Sequence, residues 1–122
     1  MPKVSVIMPV YNVENYVEPS MRSLLDQTEP DIEIIAVNDG STDGSLEVLR
    51  RLADADGRIK VIDQENAGPS AARNAGMTIA TAPIIAFLDA DDFFKPRACE
   101  RIVELFAEHE TDGIDVLTFG AD

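Results

Sequence analysis

Residues 84–92 read I-I-A-F-L-D-A-D-D, so that five apolar residues run directly into a segment with three carboxylates. A continuous apolar run of this length is typical of a strand in a parallel sheet that is covered on both faces. The acids Asp89, Asp91 and Asp92 therefore follow the carboxyl end of a predicted strand. In open α/β sheets this is the edge where ligands bind, because the loops that leave the strands separate there and form a crevice.

Three carboxylates so close in sequence indicate a divalent cation. Two carboxylates about 5 Å apart repel by about 3 kcal/mol at an effective dielectric constant of about 20, so a cation between them is favoured. Carboxylate oxygens suit Mg²⁺ or Mn²⁺, which are often held by one or two such ligands together with the phosphates of a substrate. The alternative is that the acids only solvate a loop or cap the next helix.

The composition describes a globular domain with a strong negative charge. The 122 residues fit one domain, 45% of them are hydrophobic, and the formal net charge is −13. This charge argues against nucleic acid or an anionic membrane surface as a partner. It also means that a phosphate ligand needs local help from a metal ion, an arginine or a helix N-terminus.

The single cysteine, Cys99, excludes an internal disulfide and a site built from several cysteines. No secretory signal opens the chain, and no apolar run approaches the length of a membrane span. These features predict a cytoplasmic protein, and they leave membrane association open for a longer chain.

Apolar blocks alternate with helical periodicity along the whole sequence. The predicted strands cover residues 4–10, 32–37, 59–62, 84–88 and 114–119. The connections between them are long enough for one helix each, which predicts a parallel sheet with right-handed crossovers. We therefore expect an α/β fold, a Rossmann-like three-layer α/β/α arrangement with a mostly parallel central sheet.

The third predicted helix begins at Pro69, a residue that suits the first helical position. Its expected inner face is Ala72, Ala75 and Ile79, which is mostly small. A helix with a small inner face can approach its sheet closely, so we expect Arg73 to lie near the crevice.

Polar residues from four distant segments fall on one predicted sheet edge: Tyr11 and Asn12, Asp39, Arg73, and the acids of residues 89–92. Each has a plain alternative as a rim aromatic, a turn residue or a solvated helix residue. Together they indicate a nucleotide site, because an aromatic ring can stack on a base, a carboxylate can accept from a base or ribose, and arginine with a metal can neutralise a diphosphate.

Other nucleotide and phosphate folds fit less well. The sequence contains neither G-x-x-x-x-G-K-[ST] nor G-x-G-x-x-G, which argues against a P-loop ATPase and a dinucleotide-binding oxidoreductase. A phosphoacceptor receiver domain needs an acid pair after the first strand and a lysine after the fifth, and the lysines here are Lys3, Lys60 and Lys95. A nucleotidyltransferase lacks support because its Gly-rich, basic first loop is missing.

Four ordered motifs resemble the inverting glycosyltransferases of family 2, which have the nucleotide-diphospho-sugar transferase (GT-A) fold. The motifs are V-S-V-I-M-P-V-Y-N at 4–12, I-I-A-V-N-D-G-S-T-D at 34–43, E-N-A-G-P-S-A-A-R-N-A-G at 65–76 and A-F-L-D-A-D-D at 86–92. The resemblance implies a site of several nucleotide-binding residues, namely Pro9, Tyr11, Asn12, Glu14, Asp39, Arg73, Asp89 and Ala90.

The resemblance also implies a role for some of these residues. Pro9 and Tyr11 would border the base, and Asp39 would hold the base or the ribose. Asp89-Ala90-Asp91 would be the D-x-D element, with Asp91 as the direct ligand of Mn²⁺ or Mg²⁺ and Asp89 as a second ligand nearer the ribose.

The implied activity is transfer of a sugar from a UDP-sugar to an acceptor hydroxyl with inversion, as in polysaccharide biosynthesis. Residues 1–122 would be the donor-binding, N-terminal part of a larger glycosyltransferase. The second half would carry the site for a glycan or lipid-linked acceptor and the catalytic carboxylate, and no residue here matches that base. The alternative is a nucleotide-binding or oligomerising module without transferase activity, so a homo-oligomer stays open.

Overall fold

The computed structural model describes residues 2–109 and 115–118. Its strands are β1 Val4–Val10, β2 Ile32–Asp39, β3 Ile59–Gln64, β4 Ile84–Phe87 and β5 Asp115–Thr118. Its helices are α1 Val17–Leu25, α2 Ser45–Ala55, α3 Pro69–Ile79 and α4 Ala98–His109. Helices and strands alternate along the chain as the sequence predicts.

The five strands form one sheet in the order β3-β2-β1-β4-β5, and all four pairings are parallel. The apolar strands β1 and β4 lie inside the sheet, and all of their apolar residues are buried or nearly so. The predicted parallel sheet is therefore confirmed.

Three helices cover one face of this sheet and one helix covers the other. Met21 of α1, Leu49 of α2 and Ile102 of α4 belong to a single apolar core. On the opposite face, Ala72 of α3 packs with Ile7 and other strand residues in a second, smaller core. The predicted three-layer α/β/α arrangement is confirmed, with its layers unequal in size.

The helix α3 approaches the sheet closely because small residues face it. Ala72 and Gly76 are buried, and a Cβ atom added at Gly76 would lie 2.6 Å from Cγ2 of Ile7. The prediction that Ile79 faces inward is wrong, since this side chain is 38% exposed. Ile79 is the last residue of α3, and no second described helix covers this face to bury it.

Several boundaries differ from the sequence prediction, among them the ends of β3 at Gln64 and of β4 at Phe87. The strand β2 continues two residues beyond the predicted end, so that Asp39 is its last residue. The helix α1 begins at Val17, which places Pro19 in the first turn, where no helical hydrogen bond is lost. Ile114 and Phe119, the predicted ends of the fifth strand, lie outside the described residues.

The crevice opens where β4 separates from β1. The pairing of these strands ends at Ile7 with Phe87, and one further bond joins the Leu88 N–H to the carbonyl of Ile7. Pro9 follows on β1 and cannot donate a ladder hydrogen bond. Beyond this point β1 continues to Val10 beside β2, whereas β4 has ended.

Within the described ranges, no helix has both the length and the apolar character needed to cross a membrane.

Candidate functional site

A cleft of about 400 Å³ lies at the carboxyl ends of β1, β2 and β4, beside the amino end of α3. This volume is in the range of small-molecule sites. The cleft is lined by Pro9, Val10, Tyr11, Val13, Asp39, Asn66, Gly68, Pro69, Ala72, Asp89, Ala90 and Asp91. Five of the residues that the sequence predicts for the nucleotide site are therefore together with the predicted metal ligand Asp91.

The D-A-D-D segment presents its acids because its alanine is buried. The Ala90 side chain belongs to the large core, so the flanking Asp89 and Asp91 project into solvent. The backbone carbonyl of Asp89 accepts hydrogen bonds from the Asp92 N–H at 3.0 Å and the Ser20 hydroxyl at 3.5 Å. These contacts hold the loop against α1 and keep its acids in place.

One carboxylate oxygen from each of Asp89, Asp91 and Asp92 lies within 4.8 Å of the others. This donor set fits Mg²⁺ or Mn²⁺, which prefer carboxylate oxygens and bind through few protein ligands when phosphates complete their shell. The sequence predicted that these three acids would cluster, and the resemblance named Asp89 and Asp91 among them as the ligands.

Arg73 reaches this acid cluster from α3. Its Nη2 atom lies 3.7 Å from Oδ1 of Asp89, and its Cζ atom lies 5.9 Å from the centroid of the Phe87 ring. Both the ion pair and the cation–π contact orient the guanidinium at the edge of the crevice. Arg73 therefore lies near the crevice, as the sequence predicts.

Pro9 and Tyr11 form the wall contributed by β1 and the loop after it. The Tyr11 side chain is 51% exposed, so one part of the ring rests on the protein and the rest is available to a ligand. A ring in this position can stack on a base.

The Asp39 carboxylate is buried and already occupied by hydrogen bonds. Oδ1 accepts from the Ala67 N–H at 2.8 Å and the Gln64 amide at 3.1 Å, and Oδ2 accepts from the Gly68 N–H at 3.0 Å. Burial raises the pKa of Asp39, but these hydrogen bonds outweigh burial and lower the pKa below its ordinary value. Asp39 therefore holds the loop between β3 and α3, and its contact with a base or ribose stays a prediction.

Two glycines let this loop approach Asp39. Gly40 has a φ of 71°, and a Cβ atom there would lie 2.6 Å from the backbone nitrogen of Asn66. Gly68 has a φ of 99° and precedes α3. Asn66 and Gly68 line the cleft, although the sequence prediction gave them no role, and the Gly-Pro pair at the start of α3 was the available signal.

Asn12 and Glu14 do not line the cleft but join the loops that follow β1 and β2. Oδ1 of Asn12 accepts from the Thr42 N–H at 2.7 Å, and the Glu14 N–H donates to Oδ2 of Asp43 at 3.2 Å. Asn12 adopts a positive φ of 51° in this arrangement. Their predicted contact with a nucleotide is untested by this geometry, while their connecting role is direct.

A second cavity of about 310 Å³ lies at the amino ends of the strands. Its cations already have protein partners, since Arg58 binds Asp56 and Lys60 binds Glu33. The carboxyl-end cleft is the better candidate because its charged groups lie together and exposed.

Comparison with known proteins shows the family of the chain. The family model described as "Glycosyl transferase family 2" matches residues 5–121. The chain is 44% identical over 110 residues to the glycosyltransferase GlyA of Streptococcus pneumoniae, a match that covers 90% of this chain and 16% of GlyA.

Solved structures have the same architecture. TarS residues 1–349 of S. aureus, in complex with UDP-GlcNAc, superimpose with a TM-score of 0.83 at 31% identity, covering 90% of this chain and 32% of that one. The mannosyltransferase PcManGT of Pyrobaculum calidifontis, in complex with GDP-Man and Mn²⁺, gives a TM-score of 0.72 at 30% identity, covering 76% and 28%. The chain thus spans about a third or less of each of these proteins.

Proposed function

The chain belongs to glycosyl transferase family 2, and we propose that its carboxyl-end cleft binds the UDP-sugar donor of a glycosyltransferase together with Mn²⁺ or Mg²⁺. The observation that carries the proposal is the meeting, in one cleft, of Tyr11 with Asp89 and Asp91, which cluster with Asp92. A base stacks on an aromatic surface such as the Tyr11 ring. A diphosphate needs positive charge, which a metal ion held by the acids would supply.

Each end of the cleft has a defined part in donor binding. In this proposal Pro9 and Tyr11 border the base, and Asp39, which also holds the loop before α3, contacts the base or the ribose. Asp91, with Asp89, is the proposed ligand of the metal ion. The bound ion would supply positive charge to the leaving diphosphate, which a chain of net charge −13 otherwise repels.

The choice of UDP follows the resemblance of the motifs and the solved complex of TarS with UDP-GlcNAc. PcManGT was solved with GDP-Man, so the base is the feature that most needs a test. Calorimetric titration with UDP and with GDP, each in Mn²⁺ and in EDTA, provides it.

We expect UDP to bind more tightly than GDP, and we expect EDTA to weaken both. Absence of UDP binding in every condition would refute the donor site, whereas equal affinity in Mn²⁺ and EDTA would refute only the role of the metal. Asp54→Asn is the matched control, because Asp54 is an exposed acid on α2 outside the cleft.

We further propose that transfer proceeds with inversion and that the acceptor site and the base lie outside residues 1–122. In such a step the acceptor oxygen forms a bond to the anomeric carbon as the bond to the diphosphate breaks, UDP leaves with the electron pair, and a carboxylate takes the hydroxyl proton. That carboxylate must lie opposite the leaving group, whereas Asp89 and Asp91 are proposed for the leaving-group side.

The isolated chain should therefore bind donor without transferring sugar. General-base assistance contributes roughly 10² to 10⁴ in rate, and loss of the acceptor site should remove more. Incubation with UDP-sugars, Mn²⁺ and a panel of acceptors, followed by mass spectrometry, should show slow UDP release and no glycoside. Formation of a glycoside by this chain would mean that one of its own acids serves as the base.

A further inference from the structure

Arg73 is placed to act on the metal site before any ligand arrives. Its guanidinium is 3.7 Å from the Asp89 carboxylate, a separation that allows attraction of charges but is long for a hydrogen bond. The side chains of Arg73 and Asp89 are 40% and 62% exposed, so this pair forms at the surface and exchanges readily.

Arg73 lies over well-packed residues although its ion pair with Asp89 is exposed. Phe87 is the last residue of β4 and is largely buried, and the guanidinium lies over its ring. Ala72 and Gly76 bring α3 close to the sheet on either side of Arg73. The positive charge is therefore kept beside the acid cluster whether or not it contacts Asp89.

A divalent ion and Arg73 would use the same carboxylate. The oxygens of Asp89, Asp91 and Asp92 lie within 4.8 Å of one another, so an ion held among them is brought close to the guanidinium. The two cations repel, and Arg73 must give up part of its interaction with Asp89. When a nucleotide diphosphate is also bound, Arg73 should favour the ion rather than oppose it, because the negative charge of the diphosphate attracts both cations.

We propose that Arg73 is the counter-ion of the ligand-free donor site, where it opposes binding of a bare divalent ion and favours binding of the ion together with a nucleotide diphosphate. The proposal rests on the donor site proposed above. Its consequence is coupling, since a metal ion and a nucleotide that each bind better in the presence of the other will fill the site together.

The decisive measurement uses Mn²⁺ alone, without nucleotide. We would titrate the parent chain and Arg73→Gln with Mn²⁺ and follow the paramagnetic resonance signal of the free ion. Removing one positive charge beside a divalent ion at an exposed site should tighten Mn²⁺ binding about threefold to tenfold. The gain should shrink as salt is added.

Two control variants separate the local charge from other effects. Arg73→Lys keeps the charge and should bind Mn²⁺ much as the parent does. Arg101→Gln makes the same change in net charge on α4, where Arg101 pairs with Glu104, and should also leave the affinity unchanged.

The effect of Arg73→Gln on nucleotide binding should be opposite to its effect on Mn²⁺ binding. In saturating Mn²⁺, Arg73→Gln should weaken UDP binding about tenfold, by analogy with one lost charge-assisted contact. In an Asp89→Asn background, the gain in Mn²⁺ affinity from Arg73→Gln should fall below about twofold, because the shared carboxylate is gone.

Unchanged or weaker Mn²⁺ binding by Arg73→Gln would overturn the inference, as would an unchanged affinity for UDP. If UDP still required Mn²⁺ in that case, the proposed donor site would stand and only the role of Arg73 would fall. Absence of Mn²⁺ binding in the parent chain, with UDP bound equally well in EDTA, would overturn the inference and the proposed metal role together.

Discussion

The two ends of the sheet carry acids in opposite circumstances. At the amino end, the Glu33 carboxylate is buried and accepts hydrogen bonds from the Ser5 hydroxyl at 2.6 Å, the Thr81 N–H at 2.9 Å and the Lys60 ammonium. At the carboxyl end, the acids of residues 89–92 lie close together and two of the three are exposed.

Glu33 is an acid whose charge is neutralised by the protein itself, whereas the acids of residues 89–92 are the ones proposed to bind a ligand. Burial alone raises the pKa of Glu33, but the hydrogen bonds from Lys60, Ser5 and Thr81 outweigh it and lower the pKa to about 2. That carboxylate is stabilised by the folded chain itself. For the acid cluster, the cation proposed above would relieve the repulsion between the carboxylates, and functional sites often carry such a cost in stability.

The largest expected effect is at the amino end. Glu33 has an ordinary pKa of 4.5 and a folded pKa of about 2, so its contribution is complete above pH 4.5 and is lost as the pH falls through 2. This shift corresponds to about 3 kcal/mol. Glu33→Gln should lower the free energy of unfolding by about that amount at pH 7, and urea denaturation at a series of pH values measures it.

The difference between Glu33→Gln and the parent should close as the pH falls from 4.5 towards 2. Glu47→Gln is the control, because Glu47 is exposed on α2. A constant difference across this pH range would show that Glu33 acts through packing rather than charge. The affinity of the folded variant for UDP should not change.

Asp91→Asn tests the acid cluster at the carboxyl end of the sheet. Outer-shell partners of metal ligands are typically worth 10- to 100-fold in metal affinity, so loss of a direct ligand should weaken UDP binding in Mn²⁺ by about 100-fold. The free energy of unfolding should not fall, since the change relieves repulsion within the cluster. Calorimetry and urea denaturation of the same samples measure both quantities.

Asp92→Asn should weaken UDP binding less than Asp91→Asn does, and Asp54→Asn should have no effect. The reverse order of Asp91 and Asp92 would assign the direct ligand to Asp92. A loss of stability in Asp91→Asn would mean that the two ends of the sheet do not differ as described.

Tyr11→Ala probes the part of the carboxyl end that carries no charge. Stacking of a base on an aromatic ring is worth roughly 1–3 kcal/mol, so UDP affinity should fall by about one to two powers of ten. Tyr16→Ala is the matched control, since Tyr16 is also exposed but does not line the cleft. Equal effects of the two substitutions, measured by calorimetry, would remove Tyr11 from the base site.

Gly76→Ala tests whether α3 links the two ends of the sheet, because its first turn borders the cleft and Thr81, a hydrogen-bond partner of Glu33, lies two residues after its last residue. The added Cβ would lie 2.6 Å from the Ile7 side chain, so the helix or Ile7 must shift. Overpacking of this kind costs about 1–3 kcal/mol, and the better helix propensity of alanine returns about 1 kcal/mol. We expect a net loss of about 1 kcal/mol in urea denaturation, together with a small loss of UDP affinity. A change in stability with no change in UDP affinity would show that the cleft does not depend on how closely α3 packs against the sheet.

The fold and the position of the site could be predicted because they depend on local patterns. Apolar runs and helical spacing determine the order of the elements, and the parallel topology then brings every loop after a strand to one edge. The acids of residues 89–92, together with Tyr11 and Asp39, could be placed in one cleft on that basis alone.

The contacts between loops could not be predicted, because they depend on how closely distant segments approach in three dimensions. The sequence contains no signal that the Asp39 carboxylate is filled by Ala67 and Gly68, or that Asn12 binds Thr42. Periodicity wrongly placed Ile79 inside, because burial depends on what covers a face and not only on the helix itself.

The sequence by itself determined which residues carry charge and at which sheet edge they fall, since the apolar runs set the order of strands and helices along the chain, and parallel strands bring their carboxyl ends to one edge. The tertiary structure alone decided which charges are paired. Glu33 contacts Lys60 across neighbouring strands, and Arg73 reaches Asp89 from α3, a helix whose Gly76 lies directly against Ile7 of β1. Ion pairs depend on distances of a few ångströms between segments far apart in the chain, and packing, not spacing, determines those distances.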